Sequence, residues 1–256
     1  MAQQIVAHRG ASYDAPENTL AAFRLAWEQG ADAIEGDFYL TRDHQIVCSH
    51  DARTKRTAGV DLEIPKSSLT ELRKLDVGAW KGEKFRGEQM PTLEEVLAIV
   101  PKGKKILIEI KCGGEIVPVL KTALAKSTLA PEQTVVICFD DKVIRETRRQ
   151  IPHIKAYWLV GYKKDKETGE YKPSTESVLA KLKEIDAHGL DTQAERGVVV
   201  KEFVEKLRAA KLECHAWTIN DPDLGRYFQG LGFDSITTDR PAFLREQLNR
   251  LSQASP

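Results

Sequence analysis

The segment IVAHRGASYDAPENT, residues 5–19, contains one complete strand–loop–helix start. Its apolar beginning is a candidate strand, and two polar side chains, His8 and Arg9, follow where that strand ends. Asn18 and Thr19 close the segment with residue types that cap helices. After this cap, apolar residues recur at helical spacing: Leu20, Phe23 and Trp27. The segment therefore predicts a short strand that leads into a helix through a polar loop.

The same alternation of short apolar runs and helical stripes continues along the chain. Each run has the length and composition expected of a strand that is buried on both faces. The predicted strands are residues 4–7, 33–38, 105–110, 134–139, 154–160, 186–191, 213–219 and 234–237. Eight strands that alternate with helices predict an α/β fold of the (β/α)8 TIM barrel type. A doubly wound open sheet is the alternative, but no glycine-rich dinucleotide-binding turn follows the first strand.

One long segment interrupts this alternation. Residues 51–90 contain no regular strand–helix unit, so we predict a small insertion after the second strand, on the rim of the barrel. Ser68 and Glu71 have the spacing of a capping box and predict a short helix inside it. We find no linker and no internal repeat, and we therefore predict a single domain over residues 1–256.

Composition excludes several classes of function. The 38 basic residues equal the 38 acidic ones, which argues against a non-specific nucleic-acid-binding protein. No apolar run is long enough for a transmembrane segment, and the N-terminus lacks the pattern of a signal peptide. We expect a cytoplasmic protein, although the sequence leaves open whether a leader was removed. The oligomeric state is also left open. The four cysteines form no C-x-x-C pair and are expected to be buried thiols.

Acidic residues lie on two of the predicted strands. Glu35 and Asp37 are two positions apart, so their side chains share one face of the strand, and Glu109 and Lys111 have the same relation. Reacting groups in barrel enzymes lie at the C-terminal ends of the strands. If these faces point into the barrel, the three carboxylates converge and need a counter-charge. A divalent cation with oxygen ligands, Mg²⁺ or Ca²⁺, is the predicted partner.

Two histidines and two cations accompany these acids at the strand ends. Arg9 and Lys111 supply positive charge, and His8 and His50 supply groups that exchange protons near neutral pH. This combination is suited to a phosphate ester, whose charge the cations stabilise. The structural alternative pairs Glu35 and Asp37 with lysines and makes His8 a structural histidine with its hydrogen bonds satisfied. The other histidines are expected to be structural: His44, His153, His188 and His215.

Five blocks of the sequence resemble the glycerophosphodiester phosphodiesterase family in their order along the chain. They read HRGASYDAPENT, IEGDFYLTRDHQIVCSHD, IEIK, HAWTIND and GFDSITTDRP. The resemblance implies a (β/α)8 barrel with a small insertion after the second strand. It also implies metal-dependent hydrolysis of small-molecule glycerophosphodiesters to sn-glycerol 3-phosphate and an alcohol.

The resemblance further implies a role for each matching residue. As general acid and base it implies His8 and His50. As ligands of the metal it implies Glu35, Asp37 and Glu109, and as phosphate-binding residues Arg9 and Lys111. Trp217 matches an aromatic residue that packs against the glycerol moiety, while Glu17 and Asn18 match residues that brace the site. The nucleophile is left open between water and the glycerol 2-hydroxyl.

The chain departs from the family pattern in places that shape the pocket. Cys138 stands where family members often have a serine, and Gly36 where they often have a larger residue. The turn at residues 42–45 reads RDHQ and lacks the glycine that is usual there. The alcohol released therefore stays undetermined. The alternatives are a phosphodiesterase for lysophospholipids or phosphoinositol-type substrates on the same barrel, and a non-catalytic phosphodiester-binding protein. An apolar lip would favour the lipid, but Trp80, Phe85 and Met90 are expected to pack within the insertion.

Overall fold

Eight parallel strands surround the centre of the molecule in a computed structural model that describes residues 3–253, with side chains described to residue 250. In chain order the strands are β1 (Gln4–Ala7), β2 (Ala33–Leu40), β3 (Ile46–Cys48), β4 (Lys105–Ile110), β5 (Thr134–Cys138), β6 (Lys155–Val160), β7 (Lys163–Lys164), β8 (Tyr171–Lys172), β9 (Gly189–Gln193), β10 (Glu213–Trp217) and β11 (Ser235–Thr238). All except β3, β7 and β8 belong to the parallel barrel. Strand β1 pairs with both β2 and β11, so the sheet closes, and the predicted TIM barrel is confirmed.

Helices follow the barrel strands along the chain. They are α1 (Leu20–Glu28), α2 (Lys55–Ala58), α3 (Leu69–Leu72), α4 (Leu93–Ala98), α5 (Val117–Lys126), α6 (Asp141–Gln150), α7 (Thr175–Glu184), α8 (Lys201–Ala209), α9 (Pro222–Gly230) and α10 (Pro241–Gln253). Short 3₁₀ turns occur at Ile64–Lys66, Glu83–Phe85, Gly114–Ile116 and Pro131–Gln133. Within the described part of the chain, no helix is both long enough and apolar enough to cross a membrane.

Side-chain caps fix where the helices begin. The hydroxyl of Thr19 accepts a hydrogen bond from the backbone N–H of Ala22 at 3.2 Å, which starts α1. A capping box between Ser68 and Glu71 starts α3, as the sequence predicts. The predicted strand 186–191 begins too early, because Asp186 takes a left-handed φ of 55° and ends the turn after α7. The strand itself starts at Gly189.

The barrel strands contact an apolar cluster on each of their two faces, one outside and one inside the barrel. The larger one lies between the strands and the surrounding helices and includes the fully buried Phe23, Phe203 and Phe228. A smaller cluster fills part of the barrel interior with Val6, Ala33, Leu107, Val135, Ile137, Tyr157 and Leu159. The interior is therefore a packed core rather than a channel, and the polar side chains are confined to its two ends.

The insertion has a small apolar cluster of its own. Residues packed there include Ile64, Leu72 and Met90, together with Val47 of β3, which pairs antiparallel with β2. Met90 is buried as expected, whereas Trp80 is 44% exposed. The ammonium of Lys81 donates to the backbone oxygen of Ser12 at 2.7 Å. This contact joins the insertion to the loop between β1 and α1.

Candidate active site

A cavity of about 160 Å³ opens at the C-terminal ends of the barrel strands. Its walls carry seven of the residues singled out from the sequence: His8, Arg9, Glu35, His50, Glu109, Lys111 and Trp217. The other walls are Ile137, Phe139, Leu159, Asp191, Thr218 and Thr237. The remaining sequence candidates, Glu17, Asn18 and Asp37, are outside the lining and contact residues that belong to it. The structure thus brings together side chains that are far apart in the sequence.

The three acids predicted as metal ligands form one buried cluster. Glu35, Asp37 and Glu109 each offer a carboxylate oxygen, and these oxygens lie within 4.8 Å of one another. Exposure is 2% for Glu35, 1% for Asp37 and 9% for Glu109. The Oε1 atom of Glu35 accepts no hydrogen bond from any described residue. Closely spaced oxygen donors with unused capacity are what a hard divalent cation requires, so these residues are suited to hold one.

The charges of this cluster are unequal. Burial raises the pKa of Glu35 well above its ordinary value, and the neighbouring charges of Asp37 and Glu109 add to the rise. Burial, together with the charge of Asp37, raises the pKa of Glu109 to about 7. Burial would also raise the pKa of Asp37, but the charges of Arg9 and Lys111 bring it below its usual value. Two of the acids therefore resist ionisation when no added cation neutralises them.

Arg9 and Lys111 place the positive charge next to the acids. Arg9 donates its backbone N–H to Glu35 Oε2 at 2.9 Å, while its Nε lies 3.1 Å from Asp37 Oδ2. Lys111 Nζ donates to Glu109 Oε1 at 2.7 Å and lies 3.3 Å from Asp37 Oδ1. The turn at Arg9 depends on Gly10, whose φ is 82° and where an added Cβ would lie 2.6 Å from the Ala22 backbone.

Glu17 and Asn18 hold this arrangement from behind. The amide of Asn18 donates to Asp37 Oδ2 at 2.8 Å, and its oxygen accepts the backbone N–H of Asp37 at 3.1 Å. Glu17 Oε1 accepts a hydrogen bond from Arg9 at 3.1 Å and another from Arg56 of the insertion at 2.8 Å. Both residues therefore orient groups that line the cavity.

Each of the two candidate histidines has a carboxylate at Nδ1. His8 Nδ1 lies 2.7 Å from Asp239 Oδ1, and His50 Nδ1 lies 2.8 Å from Asp51 Oδ1. Burial tends to raise the pKa of Asp239, but its hydrogen bonds with His8, Asn220 and Ser12 bring it down to about 2. An ionised carboxylate that accepts the Nδ1–H group fixes the orientation of the ring and leaves Nε2 as the nitrogen that can take up or release a proton.

Sequence reasoning missed three residues of the site. Asp239 follows the last predicted strand, and Asp51 directly follows His50, so both lie at the edge of the barrel where reacting groups are expected. Asp191 is the last residue of the strand predicted over residues 186–191 and lines the cavity, but no second acid or cation lies two positions from it. The available signal for Asp191 was an acid on a strand that is otherwise buried. The indole N–H of Trp217 donates to the backbone oxygen of Asp191 at 3.3 Å.

The histidines expected to be structural lie elsewhere. His215 is buried against Tyr157 with ring centroids 4.3 Å apart, and its Nδ1 lies 2.7 Å from Ser235 Oγ. His188 accepts the backbone N–H of Ala156 at 3.1 Å. Neither lines the cavity at the strand ends. The fold and the cavity together define a (β/α)8 barrel with an acid cluster, two cations and two carboxylate-bound histidines at its mouth.

Comparison with known proteins agrees with this description. The model of the glycerophosphoryl diester phosphodiesterase family matches residues 8–243. A glycerophosphodiester phosphodiesterase of Caldanaerobacter subterraneus subsp. tengcongensis is 32% identical, over 94% of this chain and 95% of that protein. A lysophospholipase D of Rattus norvegicus is 28% identical, over 96% of this chain and 86% of that protein.

A solved structure shows the same likeness in three dimensions. An Oleispira antarctica phosphodiesterase in complex with the product sn-glycerol-3-phosphate superposes with a TM-score of 0.85 and is 27% identical, covering 97% of both chains. The chain belongs to the glycerophosphoryl diester phosphodiesterase family. The prediction of a phosphoric diester hydrolase is confirmed, which argues against a non-catalytic binding protein.

Proposed function

We propose that this protein hydrolyses glycerophosphodiesters to sn-glycerol 3-phosphate and an alcohol. The observation that carries the proposal is one cavity lined by two histidines, two cations and two of the three clustered acids. The named activity of the Caldanaerobacter protein and the product bound in the Oleispira structure support the same reaction. A phosphodiester is an anion, and the mouth of this barrel is where the chain concentrates groups that bind and protonate one.

The phosphate would be held by Arg9 and Lys111. Both cations line the cavity, and the guanidinium keeps N–H groups beyond those used by Glu17 and Asp37. Glu35, Asp37 and Glu109 would hold one divalent cation, Mg²⁺ or Ca²⁺. When bound, that cation neutralises the acids and stabilises negative charge on the phosphoryl oxygens. Trp217 would pack its ring against the glycerol carbons.

Proton transfer falls to His8 and His50. One imidazole takes a proton at Nε2 from the nucleophile as its oxygen bonds to phosphorus. The other gives a proton from Nε2 to the departing alkoxide as that P–O bond breaks. With water as the nucleophile this completes hydrolysis. With the glycerol 2-hydroxyl, a cyclic ester forms first and water opens it in a second step.

Release of glycerol 3-phosphate from glycerophosphocholine, with and without a chelator, tests the proposal. We expect chelation to lower turnover by about 10²–10³-fold, because charge stabilisation by a cation contributes several kcal/mol. Adding back Mg²⁺ or Ca²⁺ should restore it and shows which ion the site prefers. Turnover that a chelator leaves unchanged would contradict the role given to the acids.

Lysophosphatidylcholine is the second substrate for this assay, since a lysophospholipase D is among the relatives. Trp80, Phe85 and Met90 were the candidates for an apolar lip, and none of these three side chains lines the cavity. We therefore expect the short diester to be hydrolysed faster than the lipid. A faster reaction with the lipid would favour the alternative substrate class.

A further inference from the structure

The wall of the cavity that faces the acid cluster contains a fourth buried acid, Asp191. It belongs to β9, which lies four strands from β2 in the closed order of eight and so faces Glu35 across the barrel. Asp191 is 1% exposed, and its Oδ1 accepts no hydrogen bond from any described residue. None of the ion pairs among the described residues includes it. Asp191 is therefore a buried carboxyl group with no hydrogen-bonding or ionic partner among the described side chains.

This placement is costly for the fold. A buried polar group without a hydrogen bond destabilises the folded state, and an ionised one does so more strongly. The register neighbour of Asp191 on β6 is Leu159, and Ile137 lines the same wall. Barrel interiors are normally filled at such positions by branched apolar residues. A leucine at this position would stabilise the barrel better, so packing does not account for the acid.

The surroundings of Asp191 indicate what it could bind. Trp217 is fixed beside it, because the indole N–H donates to the Asp191 backbone oxygen. The phosphate-binding cations lie on the other side of the cavity, so whatever extends from the phosphate across it meets Trp217 and Asp191. The 160 Å³ of space is less than the roughly 300–1,000 Å³ that drug-sized ligands occupy. Only a short chain of a few carbons can be enclosed there.

We propose that Asp191 binds the polyol end of the substrate by hydrogen-bonding a hydroxyl group, and that it selects hydroxylated over apolar alcohols in this position. The proposal rests on the phosphodiesterase function proposed above and names a residue that determines its specificity. Burial, with a contribution from the charge of Glu109, raises the pKa of Asp191 to about 8. A neutral carboxyl group can both donate to and accept from a hydroxyl.

The test compares two ligands that differ only in hydroxyl groups, sn-glycerol 3-phosphate and n-propyl phosphate. Calorimetry measures their affinities for the wild type, Asp191→Asn and Asp191→Leu with one divalent cation present throughout. The wild type should favour glycerol 3-phosphate by about 10- to 100-fold, since the propyl compound leaves the buried carboxyl unpaired. Asp191→Asn should keep most of this preference, and Asp191→Leu should abolish it.

A control variant separates recognition from structure. His215→Gln changes the register neighbour of Asp191 on β10, which lies outside the cavity, and should keep the wild-type preference. Thermal melting should show Asp191→Leu to be at least as stable as the wild type. An unchanged preference in Asp191→Leu, or failure of that variant to fold, would overturn the proposal, because the carboxyl would then serve the fold.

Failure of the proposed function gives a different result. Binding is measured on the products and does not depend on turnover, whereas release of choline from glycerophosphocholine by the wild type reports the reaction itself. Absent choline release with an intact affinity preference would reject the reaction and leave Asp191 as a polyol-binding residue. Choline release without a preference that depends on Asp191 would reject only the proposal for Asp191.

Discussion

Glutamates lie at both ends of the barrel interior, but their surroundings shift their pKa values in opposite directions. At the N-terminal end, Glu213 accepts a hydrogen bond from the Tyr157 hydroxyl at 2.5 Å and pairs with Lys155. At the C-terminal mouth, Glu35 and Glu109 share a buried cluster with Asp37. The first glutamate has partners that favour its charged form, whereas the mouth crowds three acids so closely that two of them resist ionisation.

The pKa values express this difference. The approach of His215, with Nε2 3.7 Å from Glu213 Oε2, lowers the pKa of Glu213, and bonds from Lys155 and Tyr157 add to the effect. Burial raises the pKa of Glu109 to about 7. An acid whose pKa is lowered by its partners stabilises the fold. An acid whose pKa is raised by burial and by neighbouring acids is a candidate for binding a ligand. The surroundings of each glutamate, which shift the two pKa values in opposite directions, therefore distinguish a structural acid from a functional one better than the residue type does.

The largest expected effect on turnover comes from the two histidines at the mouth, His8 and His50. His8→Ala and His50→Ala should each lower turnover by about 10²–10⁴-fold, the range for removing a general acid or base. His215→Ala is the matched control at the other end and should lower the melting temperature while turnover per folded molecule changes little. Near-normal turnover in both mouth variants would contradict the acid–base role of His8 and His50.

The carboxylate behind His8 should have the next largest effect. Asp239→Asn keeps the shape but removes the charge that orients the imidazole, and we expect a loss of about 10- to 100-fold, by analogy with partners of metal-bound histidines. The loss should fall on kcat rather than KM, and the pH–rate profile should shift. Ser12→Ala, which removes a weaker partner of the same carboxylate, should leave the profile unchanged.

At the N-terminal end the expected effect is on stability alone. Tyr157→Phe removes the hydroxyl that donates to Glu213, and hydrogen bonds to charged groups contribute about 1.5–3 kcal/mol. Denaturant titration should show a decrease of that order or less, because Glu213 is partly exposed. Turnover should be retained. A large loss of turnover with unchanged stability would mean that this end takes part in the reaction.

The smallest effect is a difference in sign with pH. Glu109 has a raised folded pKa, so it opposes folding increasingly as pH rises from about 4.5 toward 7 without a cation. Glu213 has a lowered pKa, so its contribution is present above about 4.5 and lost as pH falls below it. In chelator, Glu109→Gln should gain stability relative to the wild type as pH rises, and Glu213→Gln should lose it.

Parity along the strands was enough to predict the acid cluster, and loop geometry was not accessible in the same way. Glu35 and Asp37 must share a face of β2, and parallel strands bring Glu109 to the same end. The contact between His8 and Asp239 joins residues 231 positions apart and depends on how two loops approach. Asp191 ends the strand predicted over residues 186–191, but neither Gly189 nor Gln193 pairs with it as Asp37 pairs with Glu35, so the sequence did not mark it as part of a cluster. The early start predicted for β9 failed at Asp186 because its backbone conformation is set by the turn after α7.

Arg56 has a consequence for exchanging parts of this protein. Its guanidinium reaches from the insertion to both oxygens of Glu17 at 2.8 and 2.9 Å and to Asp51 Oδ2 at 2.7 Å. One side chain therefore ties the anchor of Arg9 to the partner of His50. A chimera that receives residues 51–90 from a relative will keep these contacts only if the inserted segment supplies both Asp51 and Arg56 and the host supplies Glu17.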